Sequence, residues 1–194
     1  MPVAKMPRNK EYLQSLRERL SDVRVSHCVF TAEYISSFAV GLGIPHDDAV
    51  TAGLLHDYCR DLNKEDMLKQ ARYYRLPISE SQMEKPSLLH GAVAAETCRR
   101  EFGISDEVYE AIYWHTTGCP GLGVLGQALY VADFAEPTRK FREAAEARAR
   151  LRKQGFESAL LYVAEMKLVF CQDKKVIDPN TQAFLLWLKT RRTS

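Results

Sequence analysis

Apolar positions along the chain recur at helical spacing, and strand-like alternation is nearly absent. Tyr12, Leu13, Leu16 and Leu20 mark one face of a first amphipathic helix. A second is predicted from Ser26 to Leu42, closing at Gly41 and Gly43 as helices tend to close. Pro45 suits the first turn of a third, which runs to the pair His56-Asp57. Asn63 with Asp66 opens a fourth. Pro86-Ser87 leads into a fifth, long helix that reaches Phe102 and stops at Gly103, and Ser105 caps a helix leading to His115. Gly118 to Gly123 reads as a loop. Helix resumes from Val124 to Ala135 with Pro137 just beyond, then over about 140–153, 156–172 and 180–189, with Lys175 to Pro179 as a turn. The expectation is an all-α fold: one compact domain over residues 1–194, its core at about 20–180, built as a bundle of about eight to ten helices.

Composition narrows the function classes. A hydrophobic share of 46% with 27% charged residues is that of an ordinary globular protein. The net charge of +2 lacks the basic excess of a nucleic-acid binder, yet leaves room for a local phosphate pocket. The five cysteines are scattered without a CxxC pair, which excludes a zinc ribbon or disulfide framework and fits reduced thiols. The N-terminal stretch MPVAKMPRNK has no apolar core of a signal peptide, and no apolar run approaches the roughly 20 residues that span a bilayer. A cytoplasmic protein without nucleic-acid or membrane partners is expected.

The chemistry concentrates in histidines and aspartates. His56-Asp57 follows the apolar run Ala52-Gly53-Leu54-Leu55 and precedes a polar stretch. Adjacent side chains on a regular helix point about 100° apart, but at a helix end both can converge on one ion. The plainer reading is a helix C-cap followed by an N-cap. His27 lies between Val25 and Val29, and Asp133 sits in the apolar run Leu129 to Ala135. A carboxylate there needs solvent, a partner such as a buried arginine, or a metal, because burying it alone is costly. His27, His56, Asp57 and Asp133 together would supply nitrogen and oxygen ligands suited to iron, manganese, zinc, nickel or cobalt. His90 and His115 are open to three readings: caps or core residues, ligands of a second metal bridged through Asp57, or phosphate contacts. Arg60 and Arg139 can grip phosphate oxygens, Thr116 and Thr117 can donate to a phosphate or form an ordinary turn, and Asp57 or Asp61 can orient a water. His46 reads as surface, the Arg- and Lys-rich stretch Arg139 to Lys153 as a solvent-facing helix laced with ion pairs, and Trp114 and Trp187 as packing residues, with a base pocket beside His115 as the alternative for Trp114.

His27, His56-Asp57 and Asp133 resemble the H…HD…D signature of HD-domain phosphohydrolases. The strings AGLLHDYCRD, LLHG, YWHTTG and YVADFAEPTR are similar to one branch, the YqeK-type symmetrical diadenosine tetraphosphate hydrolases of bacteria, over roughly residues 20–180. That resemblance implies metal-dependent cleavage of diadenosine tetraphosphate into two ADP, commonly with iron. It implies His27, His56, Asp57 and Asp133 as metal ligands, His90 and His115 at the phosphates or a second ion, and Arg60 and Arg139 as phosphate contacts. Phe30 and the segment Asp173 to Asp178 (DKKVID) depart from the family pattern and bear on substrate preference. The alternatives are another nucleotide phosphohydrolase, such as a nucleotidase, on the same centre, or a non-catalytic nucleotide-binding signalling module.

Overall fold

A computed structural model describes residues 7–191 of the protein; residues 1–6, on which the signal-peptide expectation falls, and residues 192–194 lie outside the described residues. The chain is all-α, with eleven α-helices and no strand among the described residues. They are α1 (Pro7–Arg19), α2 (Asp22–Ala39), α3 (His46–Leu55), α4 (Lys64–Tyr73), α5 (Glu80–Glu84), α6 (His90–Phe102), α7 (Asp106–Trp114), α8 (Val124–Ala135), α9 (Arg142–Gln154), α10 (Phe156–Asp173) and α11 (Pro179–Thr190).

Ten of these match helices expected from the apolar pattern. The additional one, α5, is too short to show a periodicity, but Ser79 and Gln82 form a reciprocal capping box at its start. Boundaries shift where the first turn is polar. α2 begins at Asp22 rather than Ser26, and Val40–Leu42 is a separate 3-10 turn closed by Gly43 at φ 71. Pro86 opens another 3-10 turn, Pro86–Leu89, so α6 starts at His90. Asn63 and Ser105 cap α4 and α7 by accepting from Asp66 N and Val108 N. Asp178 caps α11, and Pro179 takes its first position.

α8 organises the interior. It is buried along most of its length, with Gln127 and Asp133 its two polar side chains. Leu125, Ala128, Leu129 and Ala132 join a core built from α1 to α4, α6 and α7. Tyr130, Val131, Phe134 and Ala135 join a second core shared with α9 to α11. Arg148 of α9 donates to the carbonyls of Ala135, Glu136 and Arg139 at 3.0–3.3 Å, satisfying the C-terminal end of α8. α2 packs on α3 so closely at Gly53 that a methyl there would stand 2.5 Å from Ala32 Cα. The sequence expectation of free thiols is met at all five cysteines. No helix among the described residues is long and apolar enough to cross a membrane.

Candidate metal centre

The candidate ligands come from five helices. His27 lies in α2, His56-Asp57 just past α3, His90 at the first residue of α6, His115 just past α7, and Asp133 in the last turn of α8. Their side chains meet. His27 Nε2 lies 3.3 Å from His56 Nε2 and 3.2 Å from Asp133 Oδ1. His56 Nε2 is 3.8 Å from Asp133 Oδ1 and 3.7 Å from Asp57 Oδ2. The other Asp57 oxygen, Oδ1, is 3.1 Å from His90 Nε2 and 3.8 Å from His115 Nε2. One carboxylate therefore stands between two histidine pairs, His27/His56 and His90/His115.

The second ring nitrogens fix how each imidazole presents itself. Nδ1 of His56, His90 and His115 donates to the carbonyls of Gly53, Ser87 and Ile112 at 2.8, 2.6 and 2.7 Å. His27 Nδ1 faces Oε1 of the buried Glu136 at 3.3 Å. A carbonyl can only accept, so each of those Nδ1 atoms carries the proton, and a neutral ring turns the Nε2 lone pair inward. His90 Nε2 and His115 Nε2 then face each other at 3.0 Å; His27 Nε2 stands 3.3 Å from His56 Nε2 and is shared with Asp133 Oδ1 at 3.2 Å. Two lone pairs at that distance repel unless a proton or a cation lies between them. Nitrogen and carboxylate donors with oriented outer partners fit a divalent metal, and two overlapping triads, His27/His56/Asp57 and Asp57/His90/His115, have the required proximity.

The electrostatics agree with that fit. Burial opposes the Asp57 carboxylate, but His56, His90 and His115 outweigh it and hold its pKa well below the usual value. Burial likewise opposes Asp133, and Lys167, His27 and His56 overcome it. Burial pushes His56 below its ordinary value, and His115 well below, so both rings are neutral and able to ligate. For His27 burial acts downward, but the hydrogen bond and charge of Asp133 outweigh it and raise the pKa.

Asp57, Asp133, His90 and His115 line a cavity of about 300 Å³ whose walls also carry Arg24, Arg60, Lys85, Arg139, Lys167 and Lys174, while His27 and His56 are buried behind that lining. Six cationic side chains against the two carboxylates, Asp57 and Asp133, make a concave positive surface. Arg60, Arg139, Thr116 and Thr117 all line it, as the sequence suggests. Arg139 donates to Asp133 Oδ1 at 3.1 Å, and the Thr116 hydroxyl stands 3.3 Å from Nε2 of both His90 and His115. Thr117 is buried and donates to the Gly118 carbonyl at 3.1 Å.

Asp61 is not brought to the cavity. Its carboxylate accepts from Ser21 N at 2.9 Å and faces Arg24 at 3.9 Å, anchoring the start of α2 and lining a separate shallow depression with Arg19 and Tyr58. A carboxylate that caps a neighbouring helix is turned away from the water it was expected to orient. His46 is at the surface beside Asp47, and Arg150 pairs with Glu146 at 2.8 Å on the charged helix α9. Trp114 packs on Tyr113 and Trp187 on Phe184, as core residues.

Lys85 and Lys174 of the cavity wall escape the sequence reading, and so do three residues at the centre itself. Arg24 donates to Asp57 Oδ2 at 2.7 Å. Lys167 donates to the His115 carbonyl at 2.9 Å and to Asp133 Oδ2 at 3.4 Å, with its ammonium 3.8 Å from the centre of the Tyr130 ring. Glu136 orients His27. A signal existed for Lys167, a lone lysine within the apolar run Met166 to Phe170, and for Arg24, three residues and so one helical turn before His27.

A helical fold with a histidine–aspartate centre between α2, α3, α6, α7 and α8 defines a class. The HD domain family matches residues 24–164, and the chain belongs to that family. The chain is 30% identical over 181 residues to the symmetrical bis(5'-nucleosyl)-tetraphosphatase of Bacillus subtilis (strain 168), a match that covers 92% of this chain and 96% of the relative. A protein of the same name from Staphylococcus aureus (strain NCTC 8325 / PS 47) is 29% identical over 164 residues, covering 82% of this chain and 83% of the relative. A crystal structure from Clostridium acetobutylicum, described as a predicted HD superfamily hydrolase involved in NAD metabolism, superposes with a TM-score of 0.88 at 26% identity, over 94% of this chain and 97% of that one.

Proposed function

We propose that the protein is a cytoplasmic hydrolase that splits diadenosine tetraphosphate symmetrically into two ADP, using a divalent transition metal held by His27, His56, Asp57 and Asp133. Iron is the cation favoured by the family resemblance, ahead of manganese, zinc, nickel or cobalt. The observation that carries this reading is the convergence of four donors, two of which, Asp57 and Asp133, open onto a cavity lined by six cations. Relatives whose names specify symmetrical bis(5'-nucleosyl)-tetraphosphatase match most of the chain.

A polyphosphate repels an incoming nucleophile, so the site must offset its charge. A divalent cation bound there lowers the pKa of water toward 7 and neutralises phosphoryl charge. Asp57, held ionised among the histidines, accepts a hydrogen bond from the attacking water and keeps it in line with phosphorus. Arg60 and Arg139 hold phosphate oxygens with their planar forks, which match that geometry. Lys167 is tied to Asp133 and the end of α7 and adds positive charge under the reacting phosphates. Thr116 presents its hydroxyl to a phosphate oxygen beside His90 and His115. The facing lone pairs of those two rings favour their use, with Asp57, as residues that would hold a second cation rather than as direct phosphate contacts.

The test is product analysis with purified, metal-loaded protein and diadenosine tetraphosphate. ADP as the sole product is expected. AMP with ATP, or phosphate released only from mononucleotides, would contradict the assignment.

A further inference from the structure

The phosphates of the proposed substrate have an evident place in the cavity; its bases do not. Trp114, the aromatic beside His115, packs on Tyr113 and the second core and lines no part of the cavity. Another aromatic group stands at the rim. Phe134 of α8, Phe141 at the start of α9 and Phe170 of α10 form a trio with ring centroids 5.2, 6.1 and 6.3 Å apart. Phe134 is buried, but Phe141 and Phe170 are 36% and 38% exposed, and Phe170 lines the metal cavity. Phe134 and Phe170 lie near parallel, at 24°, so Phe170 is the outer ring of an aromatic pile. Exposed rings side by side on a globular surface mark a place where a ligand is meant to cover them.

We infer that this pile is a nucleobase platform: one adenine of the substrate stacks on Phe170, with Phe141 against its edge, while its phosphates lie at Arg139 and Lys167. The inference rests on the nucleotide reading of the cavity given above. Continuity supports it. Phe170 is three residues beyond Lys167 on α10, about 4.5 Å along the helix, and Phe141 is two residues beyond Arg139. The residues that touch Asp133 thus lead along the chain directly to the exposed rings. Polar walls take the phosphates, and the only chemistry the rings add is a π-face, which every base satisfies. The platform therefore confers nucleotide over bare polyphosphate, with weak preference among bases.

The experiment is calorimetric binding of ADP and of inorganic pyrophosphate to the metal-loaded, full-length protein, in wild type, Phe170→Ala, Phe170→Trp and Phe141→Ala. Phe170→Ala is expected to weaken ADP about 5- to 150-fold, the range measured for a lost base–aromatic stack. Pyrophosphate affinity should stay within twofold, and Phe170→Trp should retain ADP affinity. Phe141→Ala should weaken ADP by a smaller factor. Equal losses for ADP and pyrophosphate, or ADP affinity unchanged in Phe170→Ala, would overturn the platform; so would a wild type that binds ADP no tighter than pyrophosphate. Because binding is read without turnover, a protein that binds ADP through Phe170 yet fails to split diadenosine tetraphosphate would refute the proposed activity and leave the platform standing.

Discussion

Adding one methyl group at Gly53 should cripple the metal centre while leaving most of the fold intact. The Cβ of Gly53→Ala would lie 2.5 Å from Ala32 Cα, 2.7 Å from Ala32 N and 3.0 Å from Ala32 Cβ. Carbon atoms rest at about 3.5–4.0 Å, so α2 and α3 must separate by about 1 Å. The obstructing atoms are mostly backbone and cannot swing aside. His27 is on α2, and His56 follows α3 by one residue with its Nδ1 donating to the Gly53 carbonyl itself. The separation falls on the 3.3 Å gap between their Nε2 atoms. Overpacking costs about 1–3 kcal/mol, and replacing a helical glycine with alanine returns about 1 kcal/mol. The net loss of about 0–2 kcal/mol lowers Tm by no more than roughly 8 °C in a chain of this size. A misplacement of about 1 Å at reacting groups can cost on the order of 100-fold in rate. The assay is kcat/KM and metal affinity at a temperature where circular dichroism shows the variant folded. Gly41→Ala, whose added carbon meets nothing within 4 Å, serves as the control and should change neither. A folded Gly53→Ala protein with wild-type metal affinity and turnover would refute the claim that this contact sets the ligand geometry.

Glu136→Ala removes the partner of His27 Nδ1 and should weaken metal affinity about 10- to 100-fold by titration calorimetry; unchanged affinity would show that Glu136 does not orient the ligand. Asp57→Ala and His56→Ala should each abolish hydrolysis with helix content retained, and near-wild-type activity in either would remove it from the centre. The metal-free protein should lose stability as pH falls. His56 and His115 have folded pKa values below the ordinary 6.5, so below that value protons bind the unfolded chain preferentially and their contribution is lost on acidification. His27 acts in the opposite sense, since Asp133 outweighs burial and raises its pKa: its contribution is complete below 6.5 and disappears as pH rises through the raised value. Below 6.5 His27 adds no further change while His56 and His115 lose their contributions, so urea unfolding should show a net decline from pH 6.5 downward, and a net gain there would contradict this balance.

Helices were legible from the chain because each long one buries a stripe, and the apolar spacing of Tyr12, Leu13, Leu16 and Leu20 directly reports that stripe. α5 was not, because its five residues are held by a local capping box rather than by a buried face. The ligands were legible for a related reason. Asp133 in an apolar helix is a carboxylate out of place, and such residues need a charged partner or ion. The cations that complete the cavity were harder to see. Lys85 and Lys174 belong to polar stretches, where a charged residue is expected anyway. They reach the cavity from just past the ends of α5 and α10, and no local pattern encodes that meeting. Asp61 illustrates the converse: its closeness to Asp57 along the chain suggested a water-orienting role, but packing gave its carboxylate to the backbone amide of Ser21 at the start of α2.

The central claim is that a cation sits among His27, His56, Asp57 and Asp133. Anomalous diffraction from crystals of the iron-loaded protein tests it most directly. The account predicts a peak about 2.0–2.2 Å from Nε2 of both histidines and from an oxygen of each aspartate. A peak elsewhere, or strong occupancy with Asp133 or His27 turned out of coordination, would contradict it.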